Sequence, residues 1–195
     1  DACVDLMDYT GLRADQAQAR ENSVYRGVGV ATFVEAAAFG PIYYGPSGAR
    51  VSTQDGCTVK LEPSGVVRAL TSVTDQGQGT LTGIAQIVAD QLGIGMDDID
   101  VIAGDSATTP YGGGAWASRG MAMGGEAALQ AGKALKANIL DLAASILQTT
   151  ADTLTLGGGE IRDVATGEAR MDLAELAKVG YFRQDTLPTG TQPEL

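Results

Sequence analysis

The sequence predicts a mixed α/β (α+β) fold in which helices form one layer against a mixed sheet. Short β-branched runs, separated by turn residues, alternate with long stretches whose apolar residues recur at helical spacing. Hydrophobic residues make up 44% of the 195 residues and charged residues 19%, so enough apolar surface exists for a core. Together these observations favour a two-layer mixed α/β domain.

The first region, residues 1–48, is predicted to contain a solvent-facing helix and a connecting strand. Apolar and charged residues alternate over residues 5–22, which predicts the helix. Residues 25–39 are rich in Val, Ala and Phe without a helical charge pattern, which predicts a strand that crosses a core. Glycine and proline at 40–48 then indicate turns.

The second region, residues 49–180, is the predicted α/β core. Strands are expected at 49–53, 57–62 and 66–74, and the turn at 63–65 joins the last two as a hairpin. A helix that Gly93 ends, a strand at 99–103 and the longest helix follow. The buried stripe of that longest helix comprises Ala128, Leu135, Ile139, Leu142 and Ile146. A hairpin (153–156 with 160–163) and a short helix at 171–178, capped near Asp172, complete the core.

Residues 181–195 are predicted to be a linker, because Leu187-Pro188-Thr189-Gly190 resembles no regular element. The chain also lacks an initial Met and begins in the middle of a pattern. We therefore expect it to be an internal piece of a longer polypeptide, with the linker leading to a further C-terminal part.

Charge and cysteine content exclude several classes of function. The net charge of −11 argues against nucleic acid or an anionic membrane as a partner, because either needs a basic patch. No apolar run is long enough to span a bilayer. The two cysteines, Cys3 and Cys57, have no metal-ligand spacing and the chain has no histidine, which favours a reduced, cytoplasmic protein without its own metal site.

Two glycine-rich loops carry the functional signal. The first follows an apolar run and opens a helix, and its candidate ligand contacts are Gln76, Gly77, Gln78, Gly79 and Thr80. The second precedes the longest helix, and its candidate contacts are Gly114, Ala115, Ser118, Arg119 and Gly120. Both loops are expected at the carboxyl ends of strands and at helix N-termini, where ligands of open α/β sheets collect. Carboxamides suit the edge of a pterin or base, whereas Ser118 and Arg119 suit a phosphate.

Other interpretations stay open on the residues alone. The glycines could only close tight turns of a non-catalytic assembly domain, Arg119 could form a surface ion pair, and Trp116 could belong to the core. A Rossmann-type nucleotide-binding module is a further alternative, since Gly77, Gly79 and Gly83 approximate its fingerprint. Against it, the glycine spacing is one residue too long and a hairpin precedes the loop.

The order of motifs resembles one known family. Residues 75–80, 86–94, 104–106 and 110–114 and the pair Ser118-Arg119 occur in the order found in the molybdenum-binding large subunits of the xanthine dehydrogenase, aldehyde oxidase and aerobic carbon monoxide dehydrogenase family. The resemblance covers nearly the whole chain. It departs from the family pattern at Ala115, Ala117 and Gly120, which replace hydroxyl residues or glycine.

The resemblance implies a molybdopterin cofactor, in its cytosine dinucleotide form. The first loop would then contact the pterin, and the second loop would hold the diphosphate. It further implies that the catalytic residues lie outside this chain, that iron–sulfur clusters and FAD belong to other subunits or domains, and that the parent assembles as a dimer of heterotrimers. The parent would oxidise or hydroxylate an aldehyde, an N-heterocycle or carbon monoxide with water as the oxygen source, and the isolated chain would be inactive.

Overall fold

The computed structural model describes residues 2–48 and 50–195. The chain divides into two compact units, Asp1–Glu35 and Ala36–Leu195. Both glycine loops lie in the second unit.

The first unit contains two helices, α1 (Ala2–Leu6) and α2 (Tyr9–Glu21). The prediction of a single helix over residues 5–22 is therefore wrong at its start, because the helix that covers most of this range begins only at Tyr9. Asp8 breaks it, because this residue has the left-handed conformation (φ 45°) and its carboxylate accepts a hydrogen bond from the Gly11 N–H at 3.1 Å. A short aspartate side chain that satisfies an unpaired helix N–H begins a new helix there.

The strand predicted over residues 25–39 is not formed. Residues 24–40 adopt neither helix nor strand, and the backbone groups of residues 27–39 make no hydrogen bond to any described residue. The composition is typical of a strand, but a strand needs a neighbour that supplies hydrogen bonds. The strand predicted at 49–53 is likewise absent over residues 50–53, and residue 49 lies outside the described residues. Between these stretches lies the single-turn helix α3 (Pro41–Tyr44).

A three-stranded mixed sheet supports the two glycine loops. Its strands are β1 (Cys57–Leu61), β2 (Val67–Thr71) and β3 (Ile99–Ala103), in that spatial order. The predicted hairpin is confirmed, since β1 and β2 are antiparallel, whereas β2 and β3 are parallel and are joined through α4 (Thr80–Leu92). Strand β2 thus belongs to a hairpin and to a βαβ unit at once, so the hairpin is no argument against a nucleotide-binding fold.

The longest predicted helix is confirmed as α5 (Gly125–Leu147), which a π-helical turn, Gly120–Gly124, precedes. Of its predicted stripe, Ala128, Leu135, Ile139 and Leu142 are buried, and Ile146 packs against the core while partly buried. They meet Leu61 and Val67 of the first sheet and Ile84, Val88 and Leu92 of α4 in one hydrophobic cluster.

A second, antiparallel sheet contains β4 (Leu154–Gly157), β5 (Glu160–Asp163) and β6 (Ala169–Asp172), and α6 (Leu173–Phe182) follows it. The predicted hairpin and the Asp172 cap are confirmed, since the Asp172 carboxylate accepts from the Glu175 N–H at 2.6 Å. Strand β6 is not predicted from the sequence: the helix predicted at 171–178 begins only at Leu173, and Met171 and Asp172 belong to the strand. The mixed α+β class is confirmed, with the strands divided between two small sheets.

The two cysteines are thiols in different surroundings, which gives a simple test of the fold. Cys3 is exposed, whereas burial raises the pKa of the half-buried Cys57 from 9.0 to about 11. Because the thiolate is the reactive form, iodoacetamide at pH 8 should modify Cys3 about tenfold faster or more than Cys57. The rates are measured separately on Cys3→Ser and Cys57→Ser variants. Equal rates in the folded variants would contradict the burial of Cys57, and in urea the two rates should converge.

Among the described residues, none of the helices combines the length and apolar character needed to cross a membrane.

Candidate functional site

The two glycine loops face each other across one cavity. Because β2 and β3 are parallel neighbours, with Thr71 paired to Ala103, their carboxyl ends share one edge of the sheet. The loop after β2 leads into α4, and the loop after β3 leads into the π-helical turn and α5. They bound a cavity of about 530 Å³. The position of both loops at one edge of the sheet is as predicted from sequence, and the binding of a ligand there stays a prediction.

Seven of the ten candidate residues line this cavity. They are Gln76, Gln78, Thr80, Ala115, Ser118, Arg119 and Gly120. Gly77, Gly79 and Gly114 belong to the same loops but do not line it, and all three have positive φ angles. Trp116, Ala117 and Met121 complete the lining, and sequence reasoning did not include them.

Asp75 organises the first loop. Its carboxylate accepts hydrogen bonds from the N–H of Gly77 at 2.6 Å and from the N–H of Leu81, in the first turn of α4, at 3.1 Å. Hydrogen bonds from the backbone N–H groups of Gly77, Leu81 and Thr80, in that order of effect, lower the pKa of Asp75 below its ordinary 3.8. The N-terminus of α4 therefore already carries a carboxylate, which disfavours a phosphate at the same place.

The two glutamines of the first loop have different environments. The Gln78 carboxamide stays within the loop, since its Oε1 accepts from the Gln76 N–H at 2.6 Å and its Nε2 donates to the Thr74 carbonyl at 3.4 Å. The Gln76 side chain is exposed and makes no hydrogen bond to a described residue. Gln78 thus shapes the loop, while Gln76 keeps both a donor and an acceptor available at the cavity.

Arg119 is the charged residue of the cavity lining, yet its side chain is fully buried. Its Nη2 lies 2.7 Å from the Asp55 carboxylate, its Nη1 donates to the Gly114 carbonyl at 3.3 Å, and the guanidinium lies 5.1 Å from the Trp116 ring centroid. The ion pair is therefore in the interior and not on the surface. Its positive charge is already balanced, so an anion in the cavity meets mainly neutral groups.

Asp55 is a residue of the site that sequence reasoning missed. Its Oδ1 accepts from the Gly113 N–H at 3.0 Å and from the Ser72 hydroxyl at 2.9 Å, while its Oδ2 faces Arg119. Asp55 lies in a polar, irregular stretch far in sequence from both loops. No motif or periodicity marks it, and only the contact with Arg119 reveals its role.

The hydrogen-bonding capacity of Arg119 is not exhausted. Its Nε and Nη2 are buried, and neither has a hydrogen-bond acceptor among the described residues. Asp55 Oδ2 is also buried, and no described residue donates a hydrogen bond to it. Nη2 and Oδ2 are close enough for an ion pair at 2.7 Å, but their direction is poor for a hydrogen bond. Buried donors without an acceptor are rare in folded proteins.

Trp116 and the residues that follow it have an unusual local structure. The Trp116 indole N–H donates to the Gly113 carbonyl at 3.0 Å, and its ring lies 4.8 Å from the Tyr44 ring. Ala117 and Ser118 both have left-handed backbone angles, with φ of 49° and 51°. Such conformations are uncommon outside glycine and concentrate at functional sites.

The low pKa of Asp75 gives a testable pH dependence. Because this pKa is lower in the folded state, the carboxylate stabilises the loop above pH 3.8, and the effect is lost as the pH falls through the folded-state pKa. In NMR spectra, the amide shifts of Gly77 and Leu81 should therefore titrate together with a midpoint below 3.8. Asp75→Asn should abolish this titration. A midpoint at or above 3.8 would contradict the two hydrogen bonds.

The fold and the cavity define the chain as an α+β domain with a cavity between two glycine loops. The model of the molybdopterin cofactor-binding domain matches residues 2–192. The chain belongs to this family. Among the described residues, no group of three or more His, Cys, Asp or Glu could hold a metal ion.

Relatives and solved structures agree with this assignment. The nicotine 6-hydroxylase large subunit of Paenarthrobacter nicotinovorans is 31% identical over 195 residues, covering 100% of this chain and 24% of the relative. The carbon monoxide dehydrogenase large chain of Hydrogenophaga pseudoflava is 30% identical, covering 98% of this chain and 24% of the relative. Quinoline 2-oxidoreductase from Pseudomonas putida 86 superimposes with a TM-score of 0.73 at 31% identity, covering 98% of this chain and 24% of that one.

The chain thus spans about a quarter of the length of these relatives. What it shares with them is the molybdopterin cofactor-binding domain.

Proposed function

We propose that this chain holds part of a molybdopterin dinucleotide for a molybdenum-dependent oxidoreductase. The observation that carries the proposal is the cavity between the two glycine loops, whose lining residues are uncharged apart from the buried Arg119. Family membership supports the cofactor class. The finer assignment, to the cytosine dinucleotide, comes from the sequence resemblance.

The two loops suit different parts of such a cofactor. In the first loop, Asp75 already occupies the start of α4, so a neutral pterin ring is favoured there over a phosphate. Gln76 offers the free carboxamide, and Gly77, Gly79 and Thr80 form the adjoining backbone. Gln78 supports them from within the loop.

The second loop suits the diphosphate. Ser118 lines the cavity, and its hydroxyl makes no hydrogen bond to a described residue. The backbone of Gly114, Ala115 and Gly120 supplies further donors in this loop, whereas the Arg119 guanidinium is fully buried against Asp55 and supports the loop from the interior. These residues therefore fit the phosphate side of the cofactor.

The cavity lining offers a diphosphate no charged residue other than Arg119. The bound group supplies the redox chemistry, and the residues described here supply only binding and orientation. Because Asp55 balances Arg119, the remaining charge of a diphosphate must be met by backbone N–H groups or by other parts of the parent protein.

For the parent protein we propose the activity of a molybdenum hydroxylase. It would oxidise or hydroxylate an aldehyde, an N-heterocycle or carbon monoxide with water as the oxygen source. Its partners would be the remainder of the large subunit and subunits that carry iron–sulfur clusters and FAD, in a dimer of heterotrimers. A cytoplasmic location is consistent with the two unbridged cysteines.

Gln76 provides the test, because it is the exposed carboxamide at the cavity. In the full-length parent, Gln76→Ala should lower the molybdopterin content of the purified protein by about tenfold, the effect of losing one to two hydrogen bonds to a buried ligand. Cofactor content is measured by oxidation to the fluorescent pterin and by molybdenum analysis.

The matched control is Gln86→Ala, an exposed glutamine on α4 outside this cavity, which should leave the cofactor content unchanged. Unchanged content in Gln76→Ala and in Ser118→Ala would overturn the assignment of both loops. Tight NAD binding by the chain, lost on Gly77→Val, would instead favour the Rossmann-type module.

A further inference from the structure

Asp55 connects three parts of the chain around the second glycine loop. Its own segment contributes the Gln54 carbonyl, which accepts from the Gly113 N–H at 3.0 Å. The Asp55 carboxylate binds the same N–H, the hydroxyl of Ser72 just after β2, and the guanidinium of Arg119.

The contacts fall at the two ends of the stretch that lines the cavity. The stretch runs from Ala115 to Met121, so Gly113 lies two residues before it and Arg119 lies near its end. The residues between them include Ala117 and Ser118, whose left-handed backbone needs support from its surroundings. A carboxylate that holds both ends therefore limits the conformations open to the whole stretch.

We propose that Asp55 is a positioning residue that holds the second glycine loop in its ligand-ready shape before any ligand arrives. The identity of that ligand rests on the proposed function, whereas the positioning role does not. A buried ion pair is often no more stabilising than well-packed apolar residues of similar volume. The Asp55 carboxylate also accepts directional hydrogen bonds from the Gly113 N–H and the Ser72 hydroxyl, and these favour one loop arrangement over others.

The chain contains its own reporter for this loop. Trp116 is the single tryptophan of the sequence, it lines the cavity, and its indole N–H is bonded to the Gly113 carbonyl. Its fluorescence and its quenching by acrylamide therefore report the position of the loop directly. Circular dichroism and thermal unfolding report the stability of the domain separately.

The test compares two variants of the 195-residue chain with a control. Asp55→Asn keeps the volume of the side chain but removes the charge that holds Arg119. The double variant Asp55→Asn/Arg119→Met removes both charges and with them the unpaired guanidinium. Asp163→Asn is the control, because the Asp163 carboxylate also accepts backbone N–H bonds and faces an arginine, but in a turn of the second sheet.

We expect the acrylamide quenching constant of Trp116 to rise about twofold or more in Asp55→Asn and to stay raised in the double variant, as expected for a loop that opens locally. The melting temperature should fall in Asp55→Asn and largely return in the double variant. In the double variant the melting temperature should therefore recover while the quenching constant stays raised. If Asp55 only balanced the charge of Arg119, both quantities would recover together.

The proposal is overturned if quenching in the double variant returns to the wild-type value together with stability. It is also overturned if folded Asp55→Asn shows the same quenching as Asp163→Asn and wild type. Should Asp55→Asn not fold, the double variant carries the test alone. No cofactor enters the assay, so a failure of the proposed function would appear in the Gln76→Ala experiment and not here.

Discussion

Replacing Arg119 by Met is expected to lower the free energy of unfolding by about 3–5 kcal/mol, the largest effect of a single side chain around the site. Both side chains of the Arg119–Asp55 pair are fully buried, with 2.7 Å between Nη2 and Oδ2. Met fills a similar volume, so the main change is a buried carboxylate without its cation. Urea unfolding followed by far-ultraviolet circular dichroism measures the loss.

Two further variants show whether the unpaired charge is the cause. Asp55→Asn/Arg119→Met should recover most of the loss, because neither partner is then charged. Arg68→Met, which removes a half-exposed arginine from its pairs with Glu62 and Asp100, should cost no more than about 1 kcal/mol. A loss in Arg119→Met as small as that in Arg68→Met would contradict the burial of the Arg119 pair.

Gly113→Ala is expected to damage the candidate site without removing any of its side chains. A Cβ at residue 113 would lie 2.5 Å from the main-chain carbonyl oxygen of Ser52 and even closer to Nη1 of Arg119. Backbone cannot give way as a side chain can, so the second loop must shift. We expect about 1–3 kcal/mol of lost stability and, in the full-length parent, about a tenfold loss of bound molybdopterin.

Gly77→Ala is the matched comparison in the first loop. Apart from its two chain neighbours, no described residue has an atom within 4 Å of the position where its Cβ would be, so the substitution brings only the strain of a φ of 97°. The expected loss is about 1 kcal/mol, with little change in the second loop. If Gly77→Ala and Gly113→Ala reduced cofactor content equally, close packing around Gly113 would not be the reason for its effect.

The sequence alone predicted most of what depends on local patterns. Helix α4 with its Gly93 cap, helix α5 with its buried stripe, and the β1–β2 hairpin all follow from apolar periodicity and turn residues that lie close together in the chain. The two glycine loops and their place at one sheet edge follow as well, since each loop comes directly after a strand and before a helix. Their role as cofactor contacts stays a prediction.

Local patterns could not decide which backbone groups find partners. Residues 25–39 have strand composition, yet no described strand pairs with them, and β6 is a strand because β5 lies beside it. Asp8 ends one predicted helix through its own conformation and its contact with Gly11. In each case the outcome depended on hydrogen bonds that composition does not specify.

Only the tertiary structure assigned the electrostatics of the site. The sequence presents Arg119 as a cation available to a phosphate, but Asp55, 64 positions earlier in the chain (119 minus 55), balances its charge in the interior. It also distinguishes Gln78, whose carboxamide is bound within its own loop, from Gln76, whose carboxamide faces the cavity. Sequence thus determined which residues form the two loops, whereas folding decided which of their polar groups remain available, because burial and long-range contacts select the partners of each group.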